Sequence, residues 1–343
     1  MDKRVVFAVA GSGKTSHIIN GLESDSKTLI LTYTDNNLSN LKHRILQKFG
    51  EIPSGIKVYS YFQFVYSFCF RPLYGHELKT KGINWHVPPF NTLKMKRNDP
   101  RFYIDSHSRL YSNRIAKLIE QLSINDEVIK RIEKYFHSIC VDEVQDFAGH
   151  DFNFLLSIFP ANINQLFVGD FYQHTFDTSR DGNVNKSLHD CYDKYKAKFA
   201  KVGYVVDEEL LSKSHRCSPI VCSFVSENLS IHIDSHRSDQ TNIEFIECKN
   251  QAIEIMSCPD TAKLFYQDSR KYKGYTENWG ATKGLDCFEN ICIILNPTTL
   301  KLFENGKLEE LKPQTKNKLY VACTRAKHNI YFIPEKLIKY MKN

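Results

Sequence analysis

Residues Ala8 to Ser16 read AVAGSGKTS, and their types and spacing suit a phosphate chain. Ala10, Gly11, Ser12 and Gly13 are small enough for successive backbone N–H groups to wrap an anion. Lys14 adds a charge that reaches terminal phosphates, and the hydroxyl of Thr15, next to Ser16, can bind Mg²⁺. The plainer account is a Gly/Ser turn with an incidental lysine. Its flanks argue against that: Val5-Val6-Phe7 reads as a strand entering the turn, and Ile18, Ile19 and Leu22 mark a helix leaving it. Strand, Gly-rich turn and helix N-terminus together make a phosphate site.

Two further strand ends carry polar chemistry. Ser138 to Glu143 is an apolar run closing on two acids, within Val141-Asp142-Glu143-Val144-Gln145-Asp146. Asp142 is placed to hold Mg²⁺ through water, and Glu143 to orient and deprotonate an attacking water. A solvated acidic turn is the alternative, but acids that end an apolar strand need a reason. Gln165 to Asp170 repeats the pattern, and Gln173 follows as a neutral donor for a γ-phosphate or the attacking water.

These residues need a frame. Lys27–Thr34 reads as a buried strand, and Leu38, Leu41, Ile45, Leu46 and Phe49 line one helical face that closes on Gly50. This βαβα rhythm predicts a parallel sheet covered by helices. The aromatic run Val58–Phe70 reads as a third strand passing into a helix. From Arg71 to about Asp105 prolines, glycines and basic residues predict long surface loops. A second rhythm begins near Tyr204, with strands at 204–206, 243–247, 291–295 and 329–333 and helices at 218–228, 260–272 and 316–324. The boundary between two domains is placed near Asp177 to Asp193.

Composition bounds the class. The 343 residues, 42% apolar and 25% charged, suit two soluble domains. No apolar run is long enough for a membrane span, and MDKRVV leads straight into the phosphate loop without a cleavable signal. The ten cysteines form no CxxC pair, and Cys140, Cys292 and Cys323 sit in apolar runs. Buried reduced thiols in a cytoplasmic protein follow, and no zinc is expected. A net charge of +7 permits a nucleic-acid partner.

In this order the motifs resemble those of the UvrD/Rep-like superfamily 1 DNA helicases. AVAGSGKT is similar to their motif I, LTYTDNNLSNLKHRI to Ia, YSYFQF to Ib, VDEVQD to II and VGDFYQHTF to III. In the second half LLSKSHRCSPI is similar to motif IV, GATKGLDCFENICII to V and LYVACTRAK to VI. The resemblance spans nearly the whole chain. It implies an α/β fold of two RecA-like lobes with parallel sheets and reduced helical insertions. Lobe 1 would cover 1–180, with a short insertion at about 71–128, and lobe 2 would cover 181–343 with the second insertion nearly absent.

The resemblance also implies ATP and Mg²⁺ as cofactors. Arg216 and Arg325 would stabilise transition-state charge on the γ-phosphate, and Asp286 would join the nucleotide's contacts in place of the family's Glu. Single-stranded DNA would lie on Thr32, Tyr33, Tyr61, Phe62 and the segment around Gly280, with Phe176 keeping motif III's stacking aromatic. For the aromatics, ordinary core packing is the competing account. The expected activity is ATP-driven movement on single-stranded DNA, 3′ to 5′. Minimal helicases of this kind also partner OLD-type nucleases in Gabija-type anti-phage defence. That gives a second expectation, a nucleotide- and nucleic-acid-sensing ATPase that switches a partner nuclease. The family's adenine-reading Gln has no counterpart among the seven residues before Ala8.

Overall fold

In the computed structural model the residues described are 1–175, 181–285 and 288–342. The chain divides into two compact units, and neither is one continuous stretch. The first comprises Met1–Val6, Thr15–Gly169 and Asp177–Asp207; the second comprises Phe7–Lys14, Asp170–Phe176 and Glu208–Asn343.

The first unit holds β1 (Lys3–Phe7), β2 (Thr28–Thr32), β3 (Lys57–Ser60), β4 (Gly82–Asn84), β5 (Arg109–Tyr111), β6 (Ser138–Asp142), β7 (Asn164–Gly169) and β8 (Val205–Asp207). Six of them form one sheet in the order β3-β2-β6-β7-β1-β8, with β2–β3, β2–β6, β6–β7 and β1–β8 paired in parallel. Every residue of β2 is buried, as a strand covered on both faces requires.

The helix Asp35–Phe49 starts where the Thr34 hydroxyl accepts the Asn37 N–H at 3.3 Å, and it ends at Gly50. Its Lys48 ammonium donates to the carbonyls of Ile19, Asn20 and Leu22 at 2.8, 3.0 and 2.7 Å. This caps the C-terminal end of the helix Lys14–Asn20 that follows the phosphate loop. The run after β3 does pass into a helix, Gln63–Phe70. It is a wide one, closed by the Arg71 N–H on the Tyr66 carbonyl five residues back. The segment expected as loops carries β4, which pairs in parallel with β5 just beyond it, and short helical turns.

The second unit holds β9 (Lys213–Ser214), β10 (Asp234–Ser235), β11 (Ile243–Phe245), β12 (Thr261–Phe265), β13 (Thr276–Asn278), β14 (Asn290–Leu295) and β15 (Ile330–Pro334). Its sheet runs β11-β15-β14-β12-β13 with parallel pairings throughout. On β14, Ile291, Ile293 and Leu295 join one buried layer with Val221, Val225, Leu319 and Val321. Cys292 and Ile294 join the other, with Ala252, Met256 and Ile333.

One element differs in type from expectation. Residues 260–272 read as a helix, yet 261–265 form β12, buried at every position between β14 and β13. A short apolar run has no periodicity that separates a buried strand from a helix. Cys140, Cys292 and Cys323 are buried as expected.

Candidate functional site

The first unit holds an acidic cluster at the end of β6. The Thr15 hydroxyl, at the first turn after the loop, donates to Asp142 Oδ2 at 2.9 Å. Asp142 ends β6, is 1% exposed, and its other oxygen accepts the Glu143 N–H at 3.0 Å. Glu143 leaves the strand in the left-handed region, φ +59° and ψ 48°, at a cost of about 1–2 kcal/mol for a residue with a Cβ. The turn directs its carboxylate to the Gln145 side chain, whose amide donates to Glu143 Oε2. Gly169, at the end of β7, makes room for this: a Cβ there would lie 2.4 Å from Gln145 Oε1. Two strand ends thus meet at Glu143 through Gln145, a link the sequence reading left out.

These residues fit a hard divalent cation. Thr15 and Asp142 bring a hydroxyl and a carboxylate oxygen together, the donors such a cation would take, Asp142 through water. Among the described residues no group of three or more His, Cys, Asp or Glu is placed to hold a metal. Further ligands would therefore come from phosphate or water.

The second unit holds the loop segment Phe7–Lys14 and its own polar cluster. Tyr320, fully buried in the helix Pro313–Cys323, donates its phenol proton to Asp170 Oδ2 at 2.8 Å and accepts the Ala10 N–H at 2.8 Å. Burial, with the Asp170 charge beside it, pushes this phenol well above its usual range, so it stays a donor. Asp170 also accepts the Gln173 amide at 3.0 Å and the Tyr172 N–H at 3.1 Å. Gln173 is buried and turned to Asp170. Ser12 is buried too, its hydroxyl donating to the Val9 carbonyl at 2.8 Å. Ser16, in the first unit, accepts from Arg44 at 3.0 Å.

Arg216 lies against the loop. Gly11 has φ +72°, and a Cβ there would meet Arg216 Cβ and Ser214 Oγ, each at 2.7 Å. Beside it the His215 N–H donates to the Gly11 carbonyl at 2.9 Å, and the His215 ring stacks on His236 at 4.0 Å. The Arg216 guanidinium donates to the Thr324 carbonyl at 3.2 Å, next in the chain to Arg325. Arg325 is 1% exposed and donates to the carbonyls of Val321 and Leu285 at 3.2 and 3.1 Å. Lys14 is 8% exposed and forms no ion pair among the described residues. A buried ammonium without a carboxylate leaves its charge for an anionic ligand. Asp286 lies outside the described residues.

The residues expected to line a single strand divide by burial. In the first unit Tyr33 and Phe62 are half-buried, while Thr32 and Tyr61 are buried at 0% and 1% exposure. Tyr61 stacks beneath Tyr33 at 5.5 Å, and both phenols donate to Asp151, at 2.9 Å from Tyr61 and 3.2 Å from Tyr33. Burial and then the Asp151 charge raise the Tyr61 phenol well above its ordinary value. Tyr61 and Asp151 therefore support Tyr33, and Tyr33 and Phe62 present the accessible surface. Asp151 follows the VDEVQD segment in an ordinary helix, so no sequence signal marked it. Gly280, in the second unit, is half-buried, with its Cα face 3.1 Å from Thr175 Cβ on the distance a Cβ would make. Phe176 lies outside the described residues.

No protein-family model and no curated protein matches the chain. Solved structures do. The structure titled as a complex of arterivirus nonstructural protein 10 (helicase) with DNA matches with TM-score 0.51 and 13% identity, over 99% of this chain and 63% of that one. The PRRSV helicase matches with TM-score 0.49 and 14% identity, over 99% of this chain and 54% of that one. The chain thus spans less than two-thirds of the length of the helicases it resembles. The likeness is one of fold: two α/β units, each built on a parallel sheet.

Proposed function

We propose that this chain is an ATP-hydrolysing superfamily 1 translocase of the UvrD/Rep type, acting on single-stranded DNA and moving 3′ to 5′. The observation that carries the reading is the Thr15 hydroxyl 2.9 Å from Asp142, directly after a loop whose Lys14 is buried with no ion pair among the described residues. Backbone N–H groups of Gly11, Gly13, Lys14 and Thr15 bind the phosphates, Lys14 neutralises them, and Thr15 and Asp142 would hold Mg²⁺. A bound cation would neutralise phosphate charge. Glu143, steadied by Gln145, takes the proton of the attacking water. Gln173 lies one hydrogen bond from Asp170 and orients the reacting end, and Arg216 and Arg325 stabilise the charge that develops there.

A second reading has the chain as a nucleotide- and nucleic-acid-sensing ATPase that switches a partner nuclease of the OLD type in anti-phage defence. The stretch from Arg216 to Lys283 favours it. The strands β10 to β13 and the helices Pro219–Leu229 and Lys249–Ser257 occupy that stretch, which leaves little material to grip a duplex.

The experiment is ATP turnover with and without single-stranded DNA, with strand displacement measured in parallel. Stimulated turnover with displacement supports the motor; stimulated turnover without displacement supports the switch. Lys14→Ala should weaken nucleotide binding and turnover together. Glu143→Gln should keep ATP bound while turnover falls by about 10²–10⁴, the usual worth of a general base. Wild-type hydrolysis by Glu143→Gln would remove the assignment.

A further inference from the structure

The insertion of the first unit carries an exposed aromatic residue that the site above does not use. Trp85 follows β4 directly and is 63% exposed. Its ring meets Phe62 edge to face, with centroids 4.8 Å and planes 83° apart. Phe62 meets Tyr33 in the same manner at 5.4 Å and 74°. Tyr33, Phe62 and Trp85 therefore form a continuous aromatic row from the end of β2 onto the insertion.

The turn that projects Trp85 is fixed on both sides. Asn84 is buried, pairs with Tyr111 across β4–β5, and accepts the His86 N–H at 2.9 Å. Its amide donates to Asp105 at 2.7 Å, and Asp105 also accepts the backbone N–H groups of His107 and Arg109. An indole held this firmly in water loses little freedom when it takes a ligand.

Charge selects the ligand. Between Leu78 and Asn98 the sequence has Lys79, Lys81, Lys94, Lys96 and Arg97 and no Asp or Glu, and all five cations are exposed. An exposed aromatic ring on a segment this rich in cations, where the neighbouring Asp105 carboxylate is already taken by Asn84 and Arg109, is the chemistry of single-stranded nucleic acid, in which bases stack and phosphates pair.

We propose that Trp85 stacks a nucleotide base and extends the Tyr33–Phe62 row, with the lysines and arginine of the same segment holding the adjoining phosphates. This rests on the reading of the chain as a single-strand binder. It adds a contact that belongs to the insertion rather than to any motif.

The chain supplies its own probe. It has two tryptophans, and Trp279 is fully buried with its indole N–H donating to the Leu264 carbonyl at 3.0 Å. A change in tryptophan emission on adding oligo(dT) therefore reports Trp85. The full chain is titrated with fluorescein-labelled oligo(dT) for anisotropy and with unlabelled oligo(dT) for emission. Saturable quenching in step with anisotropy is expected. Trp85→Phe should bind nearly as wild type without the quenching, and Trp85→Ala should bind about 5- to 150-fold more weakly, the worth of one stacked base.

Binding by anisotropy with unchanged emission and wild-type affinity in Trp85→Ala overturns the proposal alone, and assigns the patch to a protein partner instead. No binding by anisotropy overturns the single-strand reading, and the proposal with it.

Discussion

Gly169→Ala tests whether Glu143 is held for catalysis by the neighbouring strand end. The new methyl would lie 2.4 Å from Gln145 Oε1, 2.7 Å from Val144 Cγ1 and 3.0 Å from the Val144 nitrogen. Ordinary contact begins at 3.4 Å, so Gln145 or the backbone at Val144 must yield by up to 1 Å. Neither is loose: Gln145 is fully buried, and the Val144 carbonyl accepts the Tyr195 phenol at 3.2 Å. Overpacking of this kind costs about 1–3 kcal/mol. For a unit of this size that is a fall in Tm of about 2–12 °C. The displaced side chain is the one that donates to Glu143, so turnover should drop by at least about tenfold within the range a general base supplies. Nucleotide affinity should hold, because the loop backbone is untouched. Thermal melts, equilibrium ATP binding and steady-state turnover measure the three quantities. Adding Gln145→Ala removes the closest of the three contacts and should recover part of the lost Tm without recovering turnover. A Gly169→Ala protein with wild-type Tm and turnover would refute the reasoning, and so would one that loses affinity and turnover in equal measure.

Tyr320→Phe removes the hydroxyl that serves both Asp170 and the Ala10 N–H, leaving that N–H without its acceptor and Asp170 with one donor fewer; a loss of about 1–3 kcal/mol in unfolding free energy is expected by denaturant titration, together with weaker ATP binding. His150 provides a pH test. Burial, chiefly, holds its pKa below the ordinary 6.5, so the unfolded chain binds more protons and stability should fall as pH drops through 6.5, levelling below the folded pKa. Tm measured from pH 7.5 to 5.5 should decline more steeply in the wild type than in His150→Gln.

Much of this architecture was legible because the residues that bind phosphate are consecutive. A loop of small residues, a lysine and a hydroxyl must occupy neighbouring positions, since they wrap one anion from one turn, and the apolar runs on either side fix strand and helix. Strand ends that carry acids are legible for a similar reason: Asp142 and Asp170 each interrupt an apolar run, which a buried strand does not do without cause. β12 was not legible: Ala262 and Leu264 alternate with Thr261 and Lys263, but five residues are too few to set a period of two against a helical one.

The supporting residues are a different case. Tyr320 stands five positions before Arg325, in a motif that the sequence reading valued for its arginine. Its partners are 310 residues away at Ala10 and 150 away at Asp170, and no local pattern encodes such pairings. Asp151 under Tyr33 and Tyr61 is separated from them by 118 and 90 residues. In each case a buried hydroxyl and a buried carboxylate meet because either one left alone would cost several kcal/mol. The pairing is enforced by the packing of the finished fold, so it becomes visible only once the strands and helices are in place. Gln145 lies between the two regimes. The sequence puts it two positions after Glu143, but only Gly169, on the neighbouring strand, leaves the space in which its amide can reach that carboxylate.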